Sequence, residues 1–299
     1  MGKGSSAIRP KSAILFFYML PGTFLFVALA IVPVAMAIFY SLFNWSGGPN
    51  MKFIGLGNYA LLINDRIFLQ ALGNNLLLAV CCVIFQVGTA FVISALLCSK
   101  ILKLQAFHRF SIFLPVILAP VVVAFLWRII YNMDYGLLNY FLRSIGLESW
   151  IKPWLDDVSI VMASVTVPIV WQWIGLYVII FTTAMKSIPE EIFESASLDG
   201  ANGIKKAFYI TYPMILDTLK ISVILAVSGC MKIFEHVYIL TSGGPGTASM
   251  VMAMYAYRTS FIGQRMGYGS TISVGILVIS LSLVLFSNLL VEGRKKKYE

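Results

Sequence analysis

Ala71-Leu-Gly-Asn-Asn-Leu-Leu-Leu-Ala-Val-Cys-Cys-Val-Ile-Phe-Gln-Val-Gly-Thr-Ala-Phe-Val-Ile-Ser-Ala-Leu-Leu-Cys98 contains no Asp, Glu, Lys or Arg. About 20 mostly apolar residues suffice for an α-helix to cross the hydrocarbon of a bilayer, so this run predicts a membrane span. Five further runs read the same way: Ser12–Leu42, Phe110–Tyr131, Ile160–Met185, Tyr212–Cys230 (extending toward Ile239) and Gly269–Leu290. Pro21, Pro33, Pro115, Pro120 and Pro168 fall in or near them. Membrane helices accommodate such kinks where neighbours satisfy the freed carbonyls. The expectation is an all-α integral membrane protein of about six transmembrane helices.

The composition of the whole chain agrees. Of 299 residues, 59% are hydrophobic and 12% charged, with mean hydropathy +0.87. Soluble domains carry about 25% charged residues. No single water-soluble core hides this much apolar surface, so lipid must solvate most of it. The net charge of +9 is spread in short clusters between apolar runs. It forms no continuous basic face, which argues against nucleic acid as a partner. Cys81, Cys82, Cys98 and Cys230 all lie inside apolar runs, without a CxxC pair or a nearby histidine. They read as small buried residues rather than metal or disulfide sites. The apolar run from Ala13 to Leu42 is too long for a signal peptide and is expected to remain as the first span.

Basic residues set an orientation. With both termini inside, the inner side holds Lys3, Arg9, Lys11, Lys100, Lys103, Arg109, Lys186, Lys205, Lys206 and the cluster from Arg294 to Lys297. The outer side holds Lys52, Arg66, Arg128, Arg143, Lys152, Lys232, Arg258 and Arg265 in longer connections. This excess favours cytoplasmic termini. The expected organisation is a tail over 1–11, a six-span domain over 12–292 and a basic tail over 293–299.

Two connections stand out. From Met185 to Thr211 the inner segment is polar yet helical in pattern. Pro189 suits the first helical position, and Glu190 and Glu191 suit the first turn. Ile192, Phe193 and Ala196 form an apolar stripe, and Gly200 with Asn202-Gly203 ends it. A helix lying on lipid is the alternative, although anionic lipid would repel its acidic first turn. The outer segment Thr241-Ser-Gly-Gly-Pro-Gly-Thr247 is a tight irregular turn. It is either a flexible loop or backbone buried against protein and lining a cavity.

Glu194-Ser-Ala-Ser-Leu-Asp199-Gly200-Ala-Asn-Gly, followed by Ile210-Thr-Tyr-Pro213, resembles the EAA motif of the membrane subunits of bacterial ABC importers. Ser195 stands for the first alanine of that motif and Tyr212 for the leucine before the proline. Further segments resemble the carbohydrate branch of the family, with its maltose and glycerol-phosphate permeases. They are Leu20-Pro21, Tyr40-Ser-Leu-Phe-Asn-Trp45, Phe53-Ile-Gly-Leu-Gly-Asn-Tyr59, Leu114-Pro115 through Trp127, Tyr135-Gly-Leu-Leu-Asn139, Trp171-Gln-Trp-Ile-Gly175 and Ile239-Leu-Thr-Ser-Gly-Gly-Pro245. The likeness covers nearly the whole chain.

The resemblance implies the type I ABC importer permease fold in a bacterial cytoplasmic (inner) membrane, with a coupling helix at about 189–203. Through Glu190, Glu191, Ile192, Phe193, Glu194, Ala196, Asp199 and Gly200 that helix would dock on an ABC ATPase, present in two copies. As an amphipathic helix it would fill a groove of its partner with Ile192, Phe193 and Ala196. A second permease subunit, usually different, and an extracellular or periplasmic sugar-binding protein complete the implied assembly. The binding protein would face Ser242, Gly243, Gly244 and Pro245. The sugar pathway would draw on Trp171, Gln172, Trp173, Gly175 and Tyr177, with Cys230, Ile233, Phe234 and Glu235 opposite. Trp171 and Trp173 are two residues apart, so at most one of them can face the pathway squarely.

No cofactor or metal is expected on this chain, ATP and Mg belonging to the partner ATPase. No G-x-x-x-x-G-K-[ST] occurs, and His108 and His236 are the only histidines, without HExxH or G-x-S-x-G. The chain reads as a transport subunit rather than an enzyme. An ion-coupled secondary transporter of a small polar solute is the other class. Its coupling groups would be Lys232, Glu235 and His236. Lys232 and Glu235, three apart, would otherwise neutralise one another on one helix face.

Overall fold

The computed structural model describes residues 12–99, 102–201 and 203–295. The expected tail 1–11, the end of the basic tail, and Lys100 and Asn202 lie outside the described residues. The elements are α1 (Ile14–Ser41), a hairpin of β1 (Phe43–Trp45) and β2 (Met51–Phe53), α2 (Gly57–Ile63) and α3 (Arg66–Cys98). There follow α4 (Gln105–Ile117), α5 (Pro120–Ile130), α6 (Leu137–Ser144), α7 (Val161–Lys186) and α8 (Glu190–Leu198). The last are α9 (Ala207–Met214), α10 (Leu216–Met231), α11 (Glu235–Leu240), α12 (Met252–Tyr257) and α13 (Met266–Lys295). Four of these are long and apolar enough to cross a membrane, and six crossings result if each of two bent pairs counts as one.

The bends are the main departure from the sequence expectation. Phe110–Tyr131 reads as one kinked span, yet α4 and α5 meet at 99°. Leu118 and Ala119 are both extended, with ψ of 140°, and Ala119 is held there because a residue directly ahead of proline is pushed out of the helical region. Pro120 then starts α5, where its missing N–H costs nothing. Likewise α9 and α10 meet at 73° just beyond Pro213.

Helix α7 is the central post, packed along α3 and α4, while α10 lies against α3 and α13. Two cores result. One joins Phe68, Leu78, Val165, Met252 and Ile272, and the other joins Phe91, Val178, Phe181 and Ile188. Helix α1 lies along α13 and leaves most of its apolar side chains exposed. Asn75, fully buried on α3, ties the halves together. Its Nδ2 donates to the Cys230 carbonyl (2.7 Å), and its Oδ1 accepts the Met252 N–H (2.8 Å). Asn75→Leu is therefore expected to cost about 2–4 kcal/mol, since it orphans two buried backbone groups. A thermal melt of the purified protein in detergent measures the loss.

At the end of the bundle that carries the β-hairpin, Asp65 caps α3, its carboxylate accepting from the Ile67 and Phe68 N–H groups. Burial works against its ionisation, but hydroxyls of Tyr255 and Tyr268, each at 2.5 Å, join the two backbone donors and hold the carboxyl below its usual range.

Candidate functional site

On α7 the side chains of Ile169, Trp173, Leu176 and Tyr177 share one face, following the helical repeat. Opposite them stand Leu225, Ala226, Gly229 and Cys230 near the end of α10. That helix stops at Met231 and α11 restarts at Glu235, leaving Lys232 and Ile233 in the break. Together with Gln86, Pro120, Glu235 and His236 these residues enclose a cavity of about 260 Å³. Aromatic faces beside a few polar groups are the usual make-up of a site for a small polar molecule.

The wall is braced from behind. Gln172 is fully buried; its Nε2 donates to the Leu118 carbonyl at the α4–α5 corner (2.9 Å). Its Oε1 is then left to accept from Nε2 of His236 at 2.7 Å. His236 is 1% exposed and its Nδ1 has no hydrogen-bond partner. One amide and one imidazole thus join α7, the corner and α11. Gln86 adds a similar tie from a widened π-helical turn of α3, donating to the Ile169 carbonyl at 3.1 Å. Gln172→Leu and His236→Leu are each expected to cost about 1–3 kcal/mol. The double substitution should cost little more than the worse single one, because the two share one hydrogen bond. Thermal melts of the three variants give the coupling.

Among residues expected along the pathway, Trp173, Tyr177, Cys230, Ile233 and Glu235 come together at this cavity. Trp171, Gln172, Gly175 and Phe234 do not line it. Trp171 points away and packs edge-on to Trp127, centroids 5.9 Å apart. Gln172 spends both ends of its amide on the brace. Gly175 is a contact point between helices, where an added Cβ would fall 2.3 Å from the Ile112 carbonyl oxygen. Phe234 stacks on Tyr238 and meets Tyr257. Lys232 and Glu235 do not share a helix face as expected, because the helix breaks between them. Gln86, Pro120, Lys232 and His236 are among the wall residues that the resemblance did not imply, beside the apolar Ile169, Leu176, Leu225 and Ala226 and the glycine Gly229. A lone glutamine inside an apolar span was the available signal for Gln86.

Beyond the end of α7, Pro189 caps α8 one residue earlier than expected, with ψ of 137°. Gly200, at φ +77°, closes α8: the Ala201 N–H reaches the Ala196 carbonyl (2.9 Å) and the Gly200 N–H that of Ser197 (3.1 Å). This left-handed cap suits glycine, which lacks the Cβ that conflicts there. Ile192 and Phe193 pack onto the second core of this same chain, and Ala196 is buried. Ile192 and Phe193, each half-buried, thus spend part of their apolar surface on this same chain. The outward face carries Glu191, Glu194, Ser195 and Asp199, with Leu198 89% exposed as its apolar knob. Lys206 donates to Ser197 Oγ (2.5 Å) and lies over the Phe193 ring, fastening α8 to the chain behind it.

At the other end of the bundle the segment from Thr241 to Thr247 is folded rather than free. Asn74 donates to the Ala248 and Met250 carbonyls, each at 2.8 Å, and Thr247 donates to Gln70 Oε1. Gly243 is buried, Gly244 and Pro245 are half-buried, and Ser242 is exposed.

The family model described as binding-protein-dependent transport system inner membrane component matches residues 103–295. The chain belongs to that family. The permease is 37% identical to the probable ABC transporter permease protein YurN of Bacillus subtilis, over 93% of this chain and 96% of that one. It is 29% identical to the diacetylchitobiose uptake system permease protein NgcF of Streptomyces coelicolor, over 90% of this chain and 80% of that one. Its fold matches a chain of a bacterial ABC transporter that imports the acidic polysaccharide alginate. The TM-score is 0.82 at 22% identity, over 94% of this chain and 95% of that one. Fold and family decide against an ion-coupled secondary transporter. The permease is a multi-pass membrane transport subunit.

Proposed function

We propose that the permease is one of two membrane subunits of an ATP-driven importer of a sugar or oligosaccharide. The observation that carries this reading is α8: a short acidic helix with a protruding Leu198, fastened to the end of α7 that lies opposite the glycine-rich segment. A helix so held passes rigid motion from a docked partner into α7, and so to the cavity wall. The partner is a separate ATPase, bound in two copies. Its closure on ATP switches the cavity between the two sides of the membrane. The α8 end faces the cytoplasm, as do both termini, and an extracellular or periplasmic binding protein docks on the outer end around Ser242–Pro245. ATP and Mg sit on the ATPase.

A sugar is supported by the relative named for diacetylchitobiose uptake. The motifs Tyr40–Trp45 and Trp171–Gly175 also resemble the carbohydrate branch. In the cavity Trp173 offers an aromatic face for the C–H face of a pyranose, and Gln86 and Glu235 offer groups for hydroxyls. The test is uptake of radiolabelled oligosaccharides into proteoliposomes holding the complete complex. Uptake that needs both ATP and the binding protein supports the reading; uptake driven by an ion gradient alone overturns it.

A further inference from the structure

Helices α4 and α7 touch at Gly175, which lies against the backbone of Ile112 and Phe113. Beyond that contact, toward the α8 end of the bundle, side chains of both helices line an opening. The opening is a cleft of about 320 Å³, separate from the cavity at Trp173. Its walls differ in chemistry. Phe110, Phe113 and Ile179 make an apolar side, with Phe110 62% exposed. Arg109, on the first turns of α4, lines the cleft with a cation, and among the described residues no carboxylate lines it. Thr182 also lines it; the residue is 3% exposed and its Oγ1 has no hydrogen-bond partner. A buried hydroxyl that neither donates nor accepts is rare and costs free energy, and a turn of this side chain toward the cleft would let a ligand complete it.

We infer that this cleft binds the phosphate headgroup of an anionic phospholipid. Arg109 pairs with the phosphate, whose planar bidentate geometry suits a guanidinium. The Thr182 hydroxyl hydrogen-bonds the headgroup, and the acyl chains run along Phe110 and Phe113. Depth favours a lipid. The cleft lies within about two turns of Lys186 at the end of α7 and of Gln105 at the start of α4, and the ends of apolar helices long enough to span are where headgroups are met. Lys103 and Lys186 add positive charge at that level. Basic pockets between helices on the cytoplasmic side are suited to anionic headgroups. Assigning the lipid to the cytoplasmic leaflet rests on the orientation proposed above; the binding itself does not. A lipid so placed wedges α4 against α7 beside the coupling helix.

The test is native mass spectrometry of the delipidated complex, or of the permease by itself if no complex forms. Phosphatidylglycerol and phosphatidylcholine of identical chains are added at equal concentration. The expected result is retention of phosphatidylglycerol about tenfold above phosphatidylcholine. Arg109→Gln should lower that retention about tenfold, Thr182→Val about threefold, and Arg109→Lys less than Arg109→Gln. If Arg109→Gln does not assemble, the lysine and valine variants carry the comparison. Equal retention of both lipids overturns the proposal, as does wild-type retention by the variants. So does displacement of the lipid by millimolar inorganic phosphate, or an absence of retained lipid because the second subunit covers the cleft. None of these outcomes bears on sugar uptake, which is measured separately.

Discussion

Gly175→Leu should leave no folded permease in the membrane. Even the first carbon of a side chain would fall 2.3 Å from the Ile112 carbonyl oxygen and 2.9 Å from the Phe113 Cα. Neither neighbour is a side-chain end that can swing aside; both are backbone of α4. The helices must separate, and the separation is felt at both ends of α7. On one side it disturbs the corner where Gln172 caps Leu118, and on the other it opens the packing that carries α8. Gly175→Ala should cost about 2–3 kcal/mol, as an overpacked site does. Leucine adds three more carbons with nowhere to go. Size-exclusion profiles of a fluorescent fusion in detergent read both: a reduced monodisperse peak for alanine and none for leucine.

The second large effect is expected at α8, with the chain left folded. Leu198→Asp combined with Glu194→Arg should lower ATP-driven uptake about 100-fold or more. Leu198 is 89% exposed and Glu194 is exposed, so neither substitution disturbs this chain's own core. At an interface, truncating one such central anchor commonly costs more than 2 kcal/mol. A reversed charge adds repulsion on top. Binding-protein affinity should stay unchanged, and ATP hydrolysis by the ATPase should persist without transport. Changing Gly200 acts at the same place by another route, since its φ of +77° strains any residue bearing a Cβ. Purified variants with normal melting temperatures and normal uptake would place the ATPase contact elsewhere.

What could be read from the sequence follows the strength of each physical signal. Six apolar runs give the spans, because the bilayer demands about 20 apolar residues and little else. The α4–α5 corner was not legible, although Pro120 stood in view. Proline inside a span reads as a kink, and only packing decides between a kink and a 99° turn. The opposed directions of Trp171 and Trp173 followed from the helical repeat alone, and Trp173 is the one at the cavity. Gln172 does not line the cavity, although a glutamine beside two tryptophans looks like a ligand for hydroxyls. Its buried position behind the wall depends on His236, 64 residues away. In α8 the apolar stripe was found correctly, but periodicity does not say which body the stripe packs on. Here Ile192 and Phe193 face their own bundle and the acidic side with Leu198 is left outward.

On the function proposed above, this chain works only as part of a complex with a separate ATPase. A mild-detergent pull-down of the tagged chain, with mass spectrometry of what stays bound, tests it most directly. The expected eluate contains an ATP-binding subunit, a second multi-span permease and a sugar-binding protein. Recovery of the chain alone, transporting in liposomes on an ion gradient without ATP, would contradict it.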